Sequence, residues 1–178
     1  MPEGEISIDD PQAQDIRDLL ERHLAFARRH ARAPEDVYAL DVNGLVDPAV
    51  TFFSFRLDGE LLAVGALKPL DERHVELKSM HTAEAARGRG IGCAMVDHLV
   101  GIARDRGFDR VSIETGSMPA FAPARSLYAR AGFTPCGPFG DYAASPNRTL
   151  MTLSLDRQDR HRRSPLDQRS DDPPHERP

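Results

Sequence analysis

Between Asp15 and Ala27 the apolar positions fall at helical spacing. Ile16, Leu19, Leu20, Leu24 and Ala27, with His23 among them, line one side of a 3.6-residue repeat. The pattern predicts a helix over "PQAQDIRDLLERHLAFARRH", with Asp10 as N-cap and Pro11 at the first helical position, where a missing N–H costs nothing. A short helix around "PEDVYAL" follows. The period then changes to two. "VTFFSFRL" and "ELLAVGALKPL" are β-rich runs joined by Asp58-Gly59, a dipeptide that accepts the positive φ of a two-residue hairpin turn. "HVELKSMHT" reads as a third strand. Past a glycine-rich loop the helical period returns over residues 91–106, with Ile91, Met95, Leu99 and Ile102 along one side. "RVSIET" is a strand, "FAPARSLYARAG" a helix closed by Gly132, and "RTLMTLSL" a last strand. The order β-β-β-α-β-α-β predicts an α/β or α+β sandwich around a mostly antiparallel sheet.

Composition narrows this picture. A chain of 178 residues, 40% hydrophobic and 29% charged, suits one domain with a sizeable core. A net charge of -5 implies no basic face, against nucleic-acid binding. No apolar run approaches the ~18 residues of a membrane span, and the acidic start "MPEGEISIDDPQAQD" does not read as a secretory signal. Cys93 and Cys136 have neither CxxC spacing nor a nearby His cluster. They are expected as small buried hydrophobes, reduced in a cytoplasmic protein without structural zinc. Lysine occurs only at Lys68 and Lys78, every other cation being Arg, which reads as coding bias. From residue 156, "DRQDRHRRSPLDQRSDDPPHERP" holds six acids, six Arg and almost nothing apolar. It cannot bury a core. A single domain over 1–155 with a flexible charged tail over 156–178 is therefore expected.

The candidate chemistry begins at Arg87-Gly88-Arg89-Gly90-Ile91-Gly92, between a strand and a helix. Glycines permit positive φ and leave no Cβ in the way, so successive N–H groups can converge on phosphate at a helix N-terminus. A Walker loop would need Lys-Ser/Thr after the glycines, and none follows. A dinucleotide fingerprint would need Gly where Cys93 stands and a parallel strand where a hairpin leads in, so NAD is a poor second. An R-x-x-G-x-G loop remains, with backbone N–H groups for a pyrophosphate and Arg87 and Arg89 for outer phosphates.

Downstream, "LYARAGF" from Leu127 to Phe133 has the pattern L-Y-x-x-x-G-F. With the loop before it, at a spacing that suits helix–strand–helix, the sequence resembles the GNAT N-acetyltransferases over roughly residues 50–155. "LKSM", "ETGSMPAFAPARSLY", "CGPFGDY" and "PNRTLMT" are similar to a narrower subgroup labelled indole-3-acetic acid acetyltransferases. The resemblance implies a GNAT-type fold, a central mixed sheet, mostly antiparallel, flanked by helices on both faces. It implies acetyl-CoA as co-substrate, no metal, and transfer of acetyl to a primary amine of a small molecule by direct attack in a ternary complex. A protein N-acetyltransferase and a non-catalytic acyl-CoA-sensing module stand as alternatives; only catalysis needs a phenol.

The resemblance carries pyrophosphate binding onto Arg87, Gly88, Arg89, Gly90 and Gly92. It assigns backbone groups of Met80 and Thr82, on a splayed strand, to pantetheine and the acetyl oxygen. Tyr128 becomes the proton donor to the departing thiolate, since a phenol with pKa ~10 matches a thiolate in basicity. The amine's proton goes to Glu76, to Glu114 in "IETGS", or to water, and these stay open. Strict alternation places Glu76 on the face of Met80 and His81 on the other, so His81 is substrate-side or structural. Phe121 stands seven positions before Tyr128, where many members of the family carry Asn; its ring can pack on pantetheine but cannot hydrogen-bond it. In "GPFGDY", Asp141 and Tyr142 fall near the expected substrate mouth, and Asp141 would favour a cationic acceptor. The hairpin and the last strand offer edges for a homodimer. No nucleic-acid or membrane partner is expected.

Overall fold

The computed structural model describes residues 4–32 and 42–155. The expected helix over "PEDVYAL" and the tail over 156–178 lie outside the described residues. In chain order the elements are β1 (Glu5–Ile8), α1 (Gln14–His30), α2 (Val42–Leu45), β2 (Thr51–Leu57), β3 (Glu60–Pro69), β4 (His74–Thr82), α3 (Ile91–Asp105), β5 (Arg110–Gly116), α4 (Ala122–Arg130), β6 (Thr134–Pro135) and β7 (Arg148–Ser154). Seven strands make one sheet in the order β1-β2-β3-β4-β5-β7-β6, antiparallel except where β4 runs parallel to β5. No described helix is long and apolar enough to cross a membrane.

Helices cover both faces, as expected. On one face Met95, Val96 and Leu99 of α3 pack with Phe53, Leu67, Leu77 and Val111, and Tyr128 of α4 joins the same cluster. On the other, Ile16, Leu19 and Leu20 of α1 meet Phe52, Val64 and Ala66. Each such aliphatic side chain contributes about 1.5–3 kcal/mol of burial. The hairpin turn is a two-residue loop with positive φ at both Asp58 (51°) and Gly59 (81°). Past α4, Gly132 at φ 95° lets its N–H reach Ala129 and the Phe133 N–H reach the Tyr128 carbonyl (3.0 Å). That cap sets the end of the helix that carries Tyr128.

Three expectations about the bounds and edges of the elements need correction. The polar N-terminus contributes a strand: β1 pairs with β2 over Glu5–Ile8, too short a run to stand out by alternation. Helix α1 begins at Gln14 rather than after Asp10; the Asp10 carboxylate accepts from the Gln12 N–H (2.8 Å) and its carbonyl from the Ala13 N–H, forming a turn around Pro11. The hairpin and the last strand are not the sheet edges, because β1 covers β2 and β6 pairs with β7.

The decisive irregularity lies in β4. Lys78 stands opposite Ala66 and His81 opposite Val64, so Ser79 and Met80 together face Gly65. This is a β-bulge, with Ser79 in the left-handed region at φ 53°. A Cβ on Gly65 would sit 2.6 Å from Met80 Sδ and 2.9 Å from Leu99 Cδ1, so the glycine makes room for Met80 to fold onto α3. One extra residue exchanges the faces downstream. Glu76, Lys78 and His81 therefore share the α1 face, while Met80 lies on the α3 face, which reverses the alternation expected for Met80 and His81.

Candidate active site

Strands β4 and β5 pair only from His74–Leu77 against Arg110–Ile113. Beyond that point β4 stays with β3 and β5 continues along β7 to Gly116, so the two diverge. A cleft of about 590 Å³ opens between them. The Lys78–Thr82 backbone has no strand partner on this side among the described residues, so its outward-facing polar groups, the Thr82 carbonyl excepted, are open to a ligand.

At one end lies the glycine loop. Gly88 and Gly90 adopt φ of 74° and 79°, with open space where a Cβ would be, so conformation alone requires glycine there. Gly90 caps α3 without a side-chain hydrogen bond, which leaves the first-turn N–H groups to an anion. Gly92 serves close packing instead: its Cβ would lie 3.3 Å from Leu127 and 3.5 Å from Thr82 Oγ1. Arg87 Nε donates to the Thr82 carbonyl (3.3 Å), tying the loop to the end of β4. Arg125, which carried no expectation, donates to the Gly116 (2.6 Å) and Met118 (3.0 Å) carbonyls and steadies the far bank.

Met80, Thr82, Arg87, Gly88, Gly90, Gly92 and Phe121 line this cleft, as do Glu76, His81, Glu114 and Tyr128. The Arg89 side chain is exposed and does not line it. Asp141 is likewise exposed outside it, so the turn carboxylate is not at the cleft; its neighbour Tyr142 enters instead. Cys93 is exposed on the cleft wall and Cys136 half-buried, against the expectation of two buried cysteines. Phe121 packs its ring on Gly116, where a Cβ would come within 2.5 Å, and meets Phe26 of α1 edge-on (5.5 Å).

Tyr128 is 4% exposed. Burial, and then the charge of Glu114, push its phenol above the usual range, so it keeps its proton at neutral pH. Glu76 is 3% exposed and Lys78 9%. Lys78 Nζ donates to Glu76 Oε1 (3.1 Å) and to the Tyr142 hydroxyl (2.7 Å), and that hydroxyl donates to Glu76 Oε1 (2.5 Å). Burial, then the charge and hydrogen bond of Glu76, raise the Tyr142 phenol as well. On the α1 side, His23 Nδ1 and His81 Nδ1 lie 3.1 Å apart. Burial lowers His23 to about 4; burial, His23, Arg87 and Arg22 lower His81 to about 3, so both rings are neutral at pH 7.

Sequence reasoning passed over Lys78 and His23. Lys78 had a signal, two residues after Glu76 on one strand face. His23 was placed only on a core-facing helix stripe, and nothing local pairs it with a residue 58 positions on.

The uncapped helix start, the backbone open along β4 and the glycines that keep Cβ atoms out fit a pyrophosphate with a long arm, as acetyl-CoA presents. The profile of the "Acetyltransferase (GNAT) family" matches residues 13–133. The chain is 41% identical over 150 residues to the uncharacterized N-acetyltransferase YsnE of Bacillus subtilis (strain 168), covering 84% of this chain and 99% of that protein. It is 31% identical over 122 residues to an IAA acetyltransferase of Azospirillum brasilense, covering 68% and 78%. Among solved structures, a GNAT family acetyltransferase from Elizabethkingia anophelis with acetyl-CoA bound superposes with TM-score 0.64 at 16% identity, over 87% of this chain and 100% of that one.

Proposed function

The chain belongs to the acetyltransferase (GNAT) family and is an acetyl-CoA-dependent acetyltransferase; from that premise we propose that its acceptor is the primary amine of a small molecule, attacking directly in a ternary complex. One observation carries the reading: a glycine loop at a helix start, an open strand edge, a buried phenol and a buried carboxylate converge on one cleft.

In this reading N–H groups from Arg87 to Gly92 hold the pyrophosphate, with Arg89 at the rim for an outer phosphate. Phe121 and the Thr82 backbone hold the pantetheine arm, and the Met80 backbone polarises the acetyl carbonyl. The amine's proton passes to Glu76 as the N–C bond forms. The C–S bond then breaks, and Tyr128 gives its proton to the thiolate. Glu114 acts on the acceptor side and supports the protonated state of Tyr128. Direct attack is favoured because Cys93 has no hydrogen-bonded base among the described residues, and the nearby imidazoles bond each other. Indole-3-acetic acid has no amine, and its ring nitrogen commits its lone pair to the aromatic system, so an amine suits this site better. We place the enzyme in the cytoplasm, as a single domain over 1–155; every group named comes from one chain.

The test is thermal melting with acetyl-CoA, CoA, NAD and ATP separately, then CoA-thiol release with a panel of primary amines. A ligand at about 100 times its Kd adds ~2.7 kcal/mol and raises the midpoint by several degrees. CoA species alone should stabilise, at least one amine should drive thiol release, and Tyr128→Phe should lower turnover about 10²-fold. Stabilisation by NAD or ATP alone would overturn the reading. Binding of CoA with no thiol release for any small amine would overturn the small-molecule acceptor and point to the protein N-acetyltransferase.

A further inference from the structure

The buried ring of Glu76, Lys78 and Tyr142 has an asymmetry that the acetyl-transfer reading does not use. Both donors converge on one carboxylate oxygen: the Tyr142 hydroxyl reaches Glu76 Oε1 at 2.5 Å and Lys78 Nζ reaches the same atom at 3.1 Å. Oε2 takes no hydrogen bond among the described residues. We propose that Tyr142 and Lys78 are positioning residues that anchor Oε1 of Glu76 and leave Oε2 as the oxygen that takes the acceptor's proton. This rests on the reading of Glu76 as the proton acceptor.

The direction of the bonds fixes the resting state. Lys78 Nζ donates to the Tyr142 oxygen at 2.7 Å, so the phenol must turn its own proton toward Glu76. In such a ring Oε1 acts only as an acceptor, and the phenol keeps its proton as a donor. A Glu side chain left to itself would sample several rotamers. Here it is held from two elements, Lys78 two residues on along β4 and Tyr142 from the β6–β7 connection, 66 residues away. That connection is itself braced. Arg148 lies 5.3 Å from the Tyr142 ring centroid and donates to the Ala143 carbonyl (2.6 Å), and Phe139 packs on His74 at 5.7 Å.

The choice of cation follows from the same geometry. Apart from Lys68 and Lys78, every cation in this chain is Arg, yet the buried cation beside Glu76 is a lysine. A planar guanidinium facing a carboxylate favours the bidentate fork, one N–H to each oxygen, and would occupy Oε2. An ammonium has three donors spread in space; it can bridge Glu76 Oε1 and the Tyr142 hydroxyl and leave the second oxygen open.

The experiment measures CoA-thiol release with the best amine of the panel above, for Glu76→Gln, Tyr142→Phe, Lys78→Arg, and the last two combined with Glu76→Gln. Melting curves check that each variant folds. Glu76→Gln should lose about 10²-fold in kcat, and the other two about tenfold each with KM for acetyl-CoA unchanged. Neither should cost more once Glu76 is Gln, a non-additivity that a merely structural role would not show. Lys78→Arg keeps the charge, so its loss speaks to geometry; Tyr142→Phe carries the proposal if the arginine does not fit. If Glu76→Gln collapses turnover while Tyr142→Phe and Lys78→Arg match the parent, the anchoring is overturned and Glu76 keeps its role. Full additivity in the Gln background overturns it too. If Glu76→Gln turns over normally, the reading beneath it fails.

Discussion

On one face of β4, Val75 and Leu77 are 0% and 1% exposed and sit in a cluster with Leu99 and Val111. On the other, Glu76 and Lys78 are buried almost as deeply, and His74 reaches Ser112 Oγ (2.7 Å), which contacts Thr152 Oγ1 (2.8 Å). A helix covers the first face; over the second, residues of the 136–147 connection reach His74 and Glu76 through Phe139 and Tyr142. The depth is similar and the physics differs. Apolar contacts are many, weak and interchangeable, so that face tolerates change roughly in proportion to the volume removed. A buried charge depends on a few partners, and the loss of one leaves the full desolvation cost of the other.

Removing one charge should have the largest effect. Lys78→Met leaves Glu76 buried without its cation and should cost about 3–5 kcal/mol in denaturant unfolding. The pair Glu76→Leu with Lys78→Met should recover much of that, and equal instability of the single and double variants would refute the account. On the apolar face, Val75→Ala should cost roughly 2 kcal/mol and leave acetyl transfer per folded molecule unchanged, because its side chain does not line the cleft. Filling the bulge's pocket with Gly65→Ala should cost about 1–3 kcal/mol, since Met80 and Leu99 stand where its methyl must go.

Acid should find the polar side first. His23 and His81 are held neutral down to about 4 and about 3, against 6.5 when unfolded. Below pH 6.5 the unfolded chain binds protons that the folded chain refuses. The stability is therefore complete above pH 6.5 and is lost as pH falls from 6.5 toward about 4 for His23 and about 3 for His81. Melting temperatures across that window should fall, less steeply in a His23→Gln, His81→Gln variant; parallel curves would show that the pair does not titrate this way. The smallest effect is a gain. Ser79→Gly relieves a left-handed φ of 53° and removes a buried hydroxyl with no partner among the described residues, and should stabilise by about 1 kcal/mol.

Much of the fold was legible because its signals are local. The third strand appears at His74–Thr82 as expected, and the hairpin turns at Asp58-Gly59, where two adjacent residues accept positive φ. The β1 strand was not legible, as four residues carry too little periodicity and its partner lies far along the chain. The loop glycines were recognisable by type, though Gly92 serves contact with Leu127 while Gly88 and Gly90 serve backbone conformation. The α1 start failed for a local reason: Asp10 closes a turn around Pro11 instead of capping the helix.

What the sequence determined by itself was the order of elements, the phosphate-type loop and the residue types available for proton transfer, because each is written in neighbouring positions. Which of those residues meet was decided only in three dimensions. One inserted residue at Ser79 and Met80 exchanged the faces of β4 and set His81 with Glu76 rather than across from it. The connection after β6 then brought Tyr142, and not Asp141, to the buried carboxylate. Strand parity is lost at a bulge and a loop's path is set by packing. Neither is encoded in the local spacing of polar and apolar residues.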